Sequence, residues 1–284
     1  MKKVELIALD LDGTLLNSNG QISDANKNAI KKAIAAGITV IISTGRPYVG
    51  IPLSDVLPLG ISYAITANGS AIYELSEKKC LYEDAIDTKT GCSLLEKLYQ
   101  HTLHLDAFID GSAYTQASTR PLIDQLQIPE SLRAYIRDTR TVVTDLPAYL
   151  LAHKMNIQKL TINFLQDENG NLKERDQVIA LLRDYPSLHF VSGGFQNIEI
   201  NKTGISKADG LRFLCDRLQI PMEHTMVCGD SQNDLDIITA AGTGVAMANS
   251  EPILLDAADF VSRSNNEDGV AWAIEQITGS VSQT

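Results

Sequence analysis

No C-x-x-C pair joins the four cysteines of this chain, Cys80, Cys92, Cys215 and Cys228. That excludes the paired ligand spacing of a zinc site and the dithiol of a redox motif, and four isolated thiols fit a reducing cytoplasm. Positive charge is scarce too: 24 Lys and Arg stand against 35 Asp and Glu, a formal net charge of −11. Nucleic acid and anionic membrane surfaces both call for clustered Lys and Arg, so neither is expected as a partner. No uncharged run reaches the ~20 apolar residues needed to span a bilayer. Met1-Lys2-Lys3 opens like a secretory leader, but Glu5, Asp10 and Asp12 interrupt the apolar stretch such a leader requires. A cytoplasmic protein is expected.

Nucleotide motifs are missing as well. There is no G-x-x-x-x-G-K-S/T, and Gly242-Thr243-Gly244 lacks the third glycine of a dinucleotide fingerprint. An EF-hand loop starting at Asp10 needs Gly at 15 and Glu at 21, where the chain has Leu15 and Gln21. The histidines at 101, 104, 153, 189 and 224 form no ligand-spaced pair.

What is present is an ordinary globular composition, 44% hydrophobic and 21% charged over 284 residues, enough for one large or two medium domains. VELIALD is a short apolar run without alternation, the mark of a strand buried on both faces. Ser23 is placed to cap a helix over about 24–36 that stops at Gly37. ITVIIST (38–44) and YAITANG (63–69) follow as buried strands. A helix over about 206–218 leads into HTMVCGD (224–230), with short strands at GTGVAM (242–247) and DFVS (259–262) and a last helix over about 268–277. Strand–helix–strand alternation predicts parallel pairing with helical crossovers: an α/β, Rossmann-like, doubly wound core. The middle breaks the rhythm, mixing an amphipathic helix (LLEKLYQHTL), an alternating strand (KLTINF) and a turn at Asp167–Asn171 before a helix around 173–184. Residues 1–83 and 192–284 are therefore expected to form the core, with 84–191 an inserted α+β cap. The tail Gly279–Thr284 is expected to fray.

Polar residues then fall at one place in each core strand. Asp10 ends the first strand, Thr44 the second and Asn68 the third, while Asp230, Asn233 and Asp234 follow the strand at 224–229. Open parallel sheets bind ligands at the carboxyl ends of their strands, so four segments deliver acid, hydroxyl and amide groups to one edge. Asp10 and Asp12 point to the same side of an extended chain, and like charges that close demand a counter-ion. Oxygen-only ligands from Asp10, Asp12 and Asp230 select a hard cation, Mg²⁺ foremost. Gly13, Gly45 and Gly229 leave backbone N–H groups open to a phosphate, and Lys207 at a helix start is placed to supply a cation.

These four segments, DLDGT (10–14), STGR (43–46), the lysine of GISKADGL and GDSQND (229–234), resemble in order the four motifs of the haloacid dehalogenase-like hydrolases. The TGRP and NGS segments, GVAMANS (244–250) and SNNEDGVA (264–271) resemble the Cof-type sugar-phosphatase branch, which carries a large cap between its second and third motifs. Over the cap the resemblance is one of size and placement only. It implies a phosphatase that works through an aspartyl-phosphate, with Asp10 the nucleophile and Asp12 first general acid, then general base. It implies Mg²⁺ on Asp10, the Asp12 carbonyl and Asp230, supported by Asp234. The Leu11 amide, Thr44, Gly45, Lys207 and Asn233 would cradle the phosphoryl oxygens. Arg46 would either reach substrate or tie its loop to the core; Asn68 would either face substrate or cap the Gly69 turn. The substrate implied is a small phosphorylated metabolite, by default a sugar phosphate, with nucleotides, pyridoxal phosphate and flavin mononucleotide as the alternatives. The oligomeric state leaves no mark in the sequence.

Two rivals share parts of this pattern. A receiver-type signalling module also uses a phosphorylated aspartate, Mg²⁺, Thr and Lys, but needs neither an acid at Asp12 nor a module of roughly a hundred residues over the site. Phosphomutases of the superfamily commonly carry a small cap just after the first motif, whereas only about thirty residues separate Asp12 from Thr44 here.

Overall fold

The computed structural model describes residues 3–192 and 197–278, and the tail at 279–284 lies outside them. The strands are β1 (Leu6–Leu9), β2 (Thr39–Ser43), β3 (Tyr63–Thr66), β4 (Ala71–Glu74), β5 (Lys79–Glu83), β6 (Leu103–Ile109), β7 (Ser112–Gln116), β8 (Arg140–Val143), β9 (Lys159–Phe164), β10 (Leu188–Ser192), β11 (Ile198–Lys202), β12 (Thr225–Gly229), β13 (Thr243–Ala246) and β14 (Phe260–Val261). They form two sheets, in two units. The first unit takes the chain to Arg46, Ile51–Tyr82 and the chain from Ser206; the second takes Pro47–Gly50 and Glu83–Ile205.

In the first unit the sheet order is β14-β13-β12-β1-β2-β3-β4-β5. The chain runs outward from β1 through β2 to β3 in one direction and from β12 through β13 to β14 in the other, all in parallel pairs. Strand order therefore reverses between β1 and β12, the switch point at which such sheets bind ligands. Every residue of β1 and β12 is buried, as the unbroken apolar runs LIAL and TMVCG require. The helix Asp24–Ala35 begins where Ser23 accepts a hydrogen bond from the Asn26 N–H at 3.2 Å. The sequence predicts no strands over 71–83, yet β4 and β5 extend the sheet, β4 antiparallel to β3.

The second unit holds a six-stranded sheet of order β10-β11-β9-β6-β7-β8, antiparallel but for β7–β8. On one face Leu103, Leu105, Ala107 and Ile109 of β6 join Leu160, Ile162 and Phe164 of β9 in a core with Leu94, Leu95, Leu146 and Leu150 from two helices. The intervening residues His104, Asp106, Thr161 and Asn163 face the other way and are buried as well. The unit runs on to Ile205, past the expected end at 191, because β11 pairs with both β9 and β10. Pro47–Gly50 belong to it too, the Val49 N–H donating to the Gly111 carbonyl at 2.9 Å. Among the described residues no helix is long and apolar enough to cross a membrane.

Candidate active site

Asp10 follows the last residue of β1. Its N–H donates to the Cys228 carbonyl at 3.0 Å and its carbonyl accepts from Leu15 at 3.1 Å, so the backbone is fixed on both sides. The carboxylate is buried against Lys207, whose Nζ lies 2.8 Å from Asp10 Oδ1. The same ammonium donates to Asp234 Oδ1 at 2.6 Å and to Asn233 Oδ1 at 3.3 Å, which uses all three of its donors. Lys207 opens the helix Lys207–Leu218, capped by Ser206 accepting from the Asp209 N–H. Gly69, at φ +103°, lets that helix start so close: a Cβ there would come within 2.0 Å of the Ser206 carbonyl oxygen.

Asp230 follows β12, and Thr14 donates to its Oδ1 at 3.3 Å. Asp234 Oδ2 accepts from the Asp230 and Ser231 N–H groups at 3.1 and 3.3 Å, so both of its oxygens are engaged. Gly13 has φ +75°, and a Cβ on it would fall 2.2 Å from Asp230 Oδ2. Only glycine allows the first-strand turn to lie against this aspartate.

One carboxylate oxygen from each of Asp10, Asp230 and Asp234 lies within 4.8 Å of the others. Fully ionised, three carboxylates against one ammonium would leave two negative charges in a place largely shielded from water. Burial pushes the Asp10 carboxyl well above the ordinary aspartate range; Lys207 opposes this, while Asp234, Asp230 and Asp12 add to it. Burial, then Asp234, pushes Asp230 up to about 7. Burial works against the Lys207 ammonium, but Asp10 and Asp234 outweigh it and hold its pKa above the ordinary lysine value. An all-oxygen cluster short of two positive charges fits a hard divalent cation.

Asp12 is placed differently from the three clustered acids. Its side chain is 63% exposed and is held by Arg46, with Nε 2.7 Å from Oδ2 and Nη2 2.6 Å from Oδ1. Arg46 in turn donates its N–H to Thr44 Oγ1 at 3.1 Å, and its carbonyl accepts from Ala67 at 2.9 Å. Thr44 is buried at the end of β2 and Gly45 beside it is half-buried. Asn68 is buried in the left-handed region, at φ +59°, and its Oδ1 accepts from Asn233 Nδ2 at 3.3 Å. Leu11 has a fully buried side chain, and its carbonyl accepts from Leu16 at 2.8 Å. The switch point thus gathers Asp10, Lys207, Asn233, Asp234, Asp230 and Asn68, with Arg46 drawn onto Asp12.

Sequence reasoning assigns no role to Asn249 or Asn265. Asn249 Nδ2 donates to the Gly13 carbonyl at 2.8 Å, and its Oδ1 accepts from the Asn265 N–H at 2.9 Å. Asn265 Nδ2 donates to the Leu16 carbonyl at 2.9 Å. Their signals are membership of GVAMANS and SNNEDGVA, the segments that resemble the Cof-type branch, and position: asparagines in the turns that follow β13 and β14, at the same sheet edge as the acids.

Comparison with known proteins adds four matches. The family model described as haloacid dehalogenase-like hydrolase matches residues 7–274. The phosphatase YwpJ of Bacillus subtilis is 32% identical over 96% of this chain and 100% of its own length. The 5-amino-6-(5-phospho-D-ribitylamino)uracil phosphatase YcsE of the same organism is 34% identical, over 95% of this chain and 94% of its own. A solved structure of a haloacid dehalogenase-like hydrolase from B. subtilis superposes with a TM-score of 0.82 at 30% identity, over 96% of this chain and 100% of that one. With its motif residues brought together at the switch point and the family pattern matched almost end to end, this chain belongs to the haloacid dehalogenase-like hydrolases, in the Cof-type branch.

Proposed function

We propose that this phosphoric monoester hydrolase acts on small phosphorylated metabolites, sugar phosphates foremost, through an aspartyl-phosphate on Asp10 and with Mg²⁺ as its metal. One observation carries the reading: two acids separated by a single residue stand in opposite environments, Asp10 buried on Lys207 and Asp12 exposed on Arg46. A carboxylate oxygen of Asp10 attacks phosphorus, and the P–O bond to the substrate alcohol breaks. Asp12 gives the departing oxygen its proton. Water then attacks the phosphorus of the acyl phosphate while Asp12 takes its proton, which frees Asp10 and inorganic phosphate.

Each Asp12 oxygen accepts one bond from Arg46, which leaves a second lone-pair site on each oxygen where the proton can be carried. Lys207, exchanging its longest bond, the 3.3 Å one to Asn233, for a phosphoryl oxygen, acts with Thr44, Asn233 and the Leu11 and Gly45 N–H groups to hold the oxygens where charge concentrates in the transition state. Asn68 keeps Asn233 in place. Asp10, Asp230 and the Asp12 carbonyl would hold Mg²⁺, Asp234 orienting them; bound there, the ion neutralises phosphoryl charge. Substrate selection falls to the second unit. Kinship with a ribitylaminouracil phosphatase favours a phosphorylated polyol chain as the second substrate class to test.

Purified protein with Mg²⁺, set against sugar phosphates, the ribitylaminouracil phosphate, pyridoxal phosphate, flavin mononucleotide and nucleotides, is expected to release phosphate from at least one. Excess EDTA is expected to stop release, and Asp10→Asn to reduce it to background with the fold intact. Silence across the panel overturns the activity; full turnover in EDTA overturns the metal.

A further inference from the structure

We infer that Asn249 is a positioning residue for the general acid, an inference that rests on the role just proposed for Asp12. Asp12 lies on a turn whose next residue, Gly13, has a positive φ and no side chain to anchor it. Several hydrogen bonds in this turn are internal to it: Leu15 to the Asp10 carbonyl and Leu16 to the Leu11 carbonyl. Bonds of that kind hold the turn's shape and leave its tilt open. The tilt is set from outside: Asp10 is tied to Cys228 at the start of the turn, Arg46 holds the Asp12 carboxylate, and the backbone just past Asp12 is held by Asn249 Nδ2 on the Gly13 carbonyl, at 2.8 Å.

Asn249 is suited to the task because its amide is used at both ends. The Asn265 N–H donates to its Oδ1 at 2.9 Å, which fixes which side of the amide is nitrogen. Its neighbours are tied to the loop that carries Asp230. Ser250 Oγ donates to the Gly229 carbonyl at 3.2 Å, and the Glu251 N–H donates to the Asp230 carbonyl at 2.9 Å. Asn249 therefore measures the distance between the turn that carries the proton donor and the strand end that carries the clustered acids. A small misplacement of a proton donor weakens the step that breaks the bond to a poor leaving group, with much less effect on binding.

The test compares two substrates in the Mg²⁺-loaded enzyme: nitrophenyl phosphate, whose leaving group departs without a proton, and the sugar phosphate hydrolysed fastest. For Asn249→Ala, kcat/KM, which reports the leaving-group step and not the later attack of water that both substrates share, is expected to fall at least about tenfold further on the sugar phosphate than on nitrophenyl phosphate. Asn249→Asp keeps the acceptor for Asn265 and loses the donor to Gly13, so it is expected to behave like the alanine variant. Any unfolded fraction lowers both rates alike, so the ratio of the two losses reads positioning and is blind to misfolding. Equal losses in kcat/KM on the two substrates, or an Asn249→Asp enzyme with wild-type kcat/KM, overturn the inference while the phosphatase reading stands. A wild-type enzyme inert towards both overturns the reading and the inference together.

Discussion

Lys207 shows how much one side chain settles in this molecule. It is fully buried and holds two carboxylates and an amide at once. Take it away and Asp10, Asp230 and Asp234 face one another with no ammonium among them. Lys207→Met is expected to cost about 3–5 kcal/mol of stability, the order found when one partner of a buried ion pair is removed. Denaturant unfolding in EDTA checks this. Adding a divalent cation is expected to restore more stability to the variant than to the wild type, because the variant lacks one more positive charge. A variant as stable as the wild type would mean that water, not Lys207, balances these acids. The motif acids and Lys207 are legible from sequence because each stands where an apolar run stops or a helix starts. Asn249 is not, since its partner is a backbone carbonyl and carbonyls leave no trace in the residue string. The Arg46–Asp12 pair is half legible: the arginine is foreseen near the site, but the aspartate it grips is 34 positions away in the chain.

Among the elements, β6 and β9 of the second unit depart most from expectation. KLTINF reads as an alternating strand, and β9 does alternate, but its polar side is buried and pairs with the polar side of β6. His104 is completely enclosed there; its Nδ1 meets Asn163 Nδ2 at 3.1 Å, and its Nε2 lies 3.6 Å from Asp106. Burial lowers the His104 pKa, with Arg140 acting the same way and Asp106 opposing. A depressed histidine is neutral in the folded protein while the unfolded chain still takes up a proton. Stability is therefore present above the unfolded histidine value near 6.5 and is lost as pH falls below it, until the folded form protonates too. Between pH 7 and 5 the wild type is expected to lose more stability than His104→Gln, by at most about 1.4 kcal/mol per pH unit. Paired denaturation curves measure the difference, and parallel slopes would remove His104 from the account. The parallel core strands are legible because burial on both faces writes an unbroken apolar run. The strand β5, KCLYE, is not, because its mixed charges suit a partly exposed edge as well as a loop.

At the scale of the whole chain, the two units have separate sheets and separate apolar cores. The second is nearly one continuous stretch, Glu83–Ile205, with only Pro47–Gly50 contributed from elsewhere. A polypeptide of residues 83–205 is expected to unfold cooperatively on its own, because the core on its helical face is complete without that contribution. Circular dichroism during urea unfolding tests it; a featureless melt would show that the second unit takes its order from the first. The insert's far boundary escapes the sequence for a related reason. Strand β11 belongs with β9 by pairing across more than thirty residues, and nothing in its own residues says so.

The four residues Pro47–Gly50 bear on how such proteins could be recombined. They follow directly on Arg46 of the first unit, yet Val49 bonds to Gly111 of the second. A chimaera that exchanges only the long insert would join a foreign turn at 111 to the native segment at 47–50. If the second unit selects the substrate as proposed, swapping that preference between relatives calls for two cassettes moved together, one long and one of four residues, and the short one begins at the residue next to the partner of Asp12.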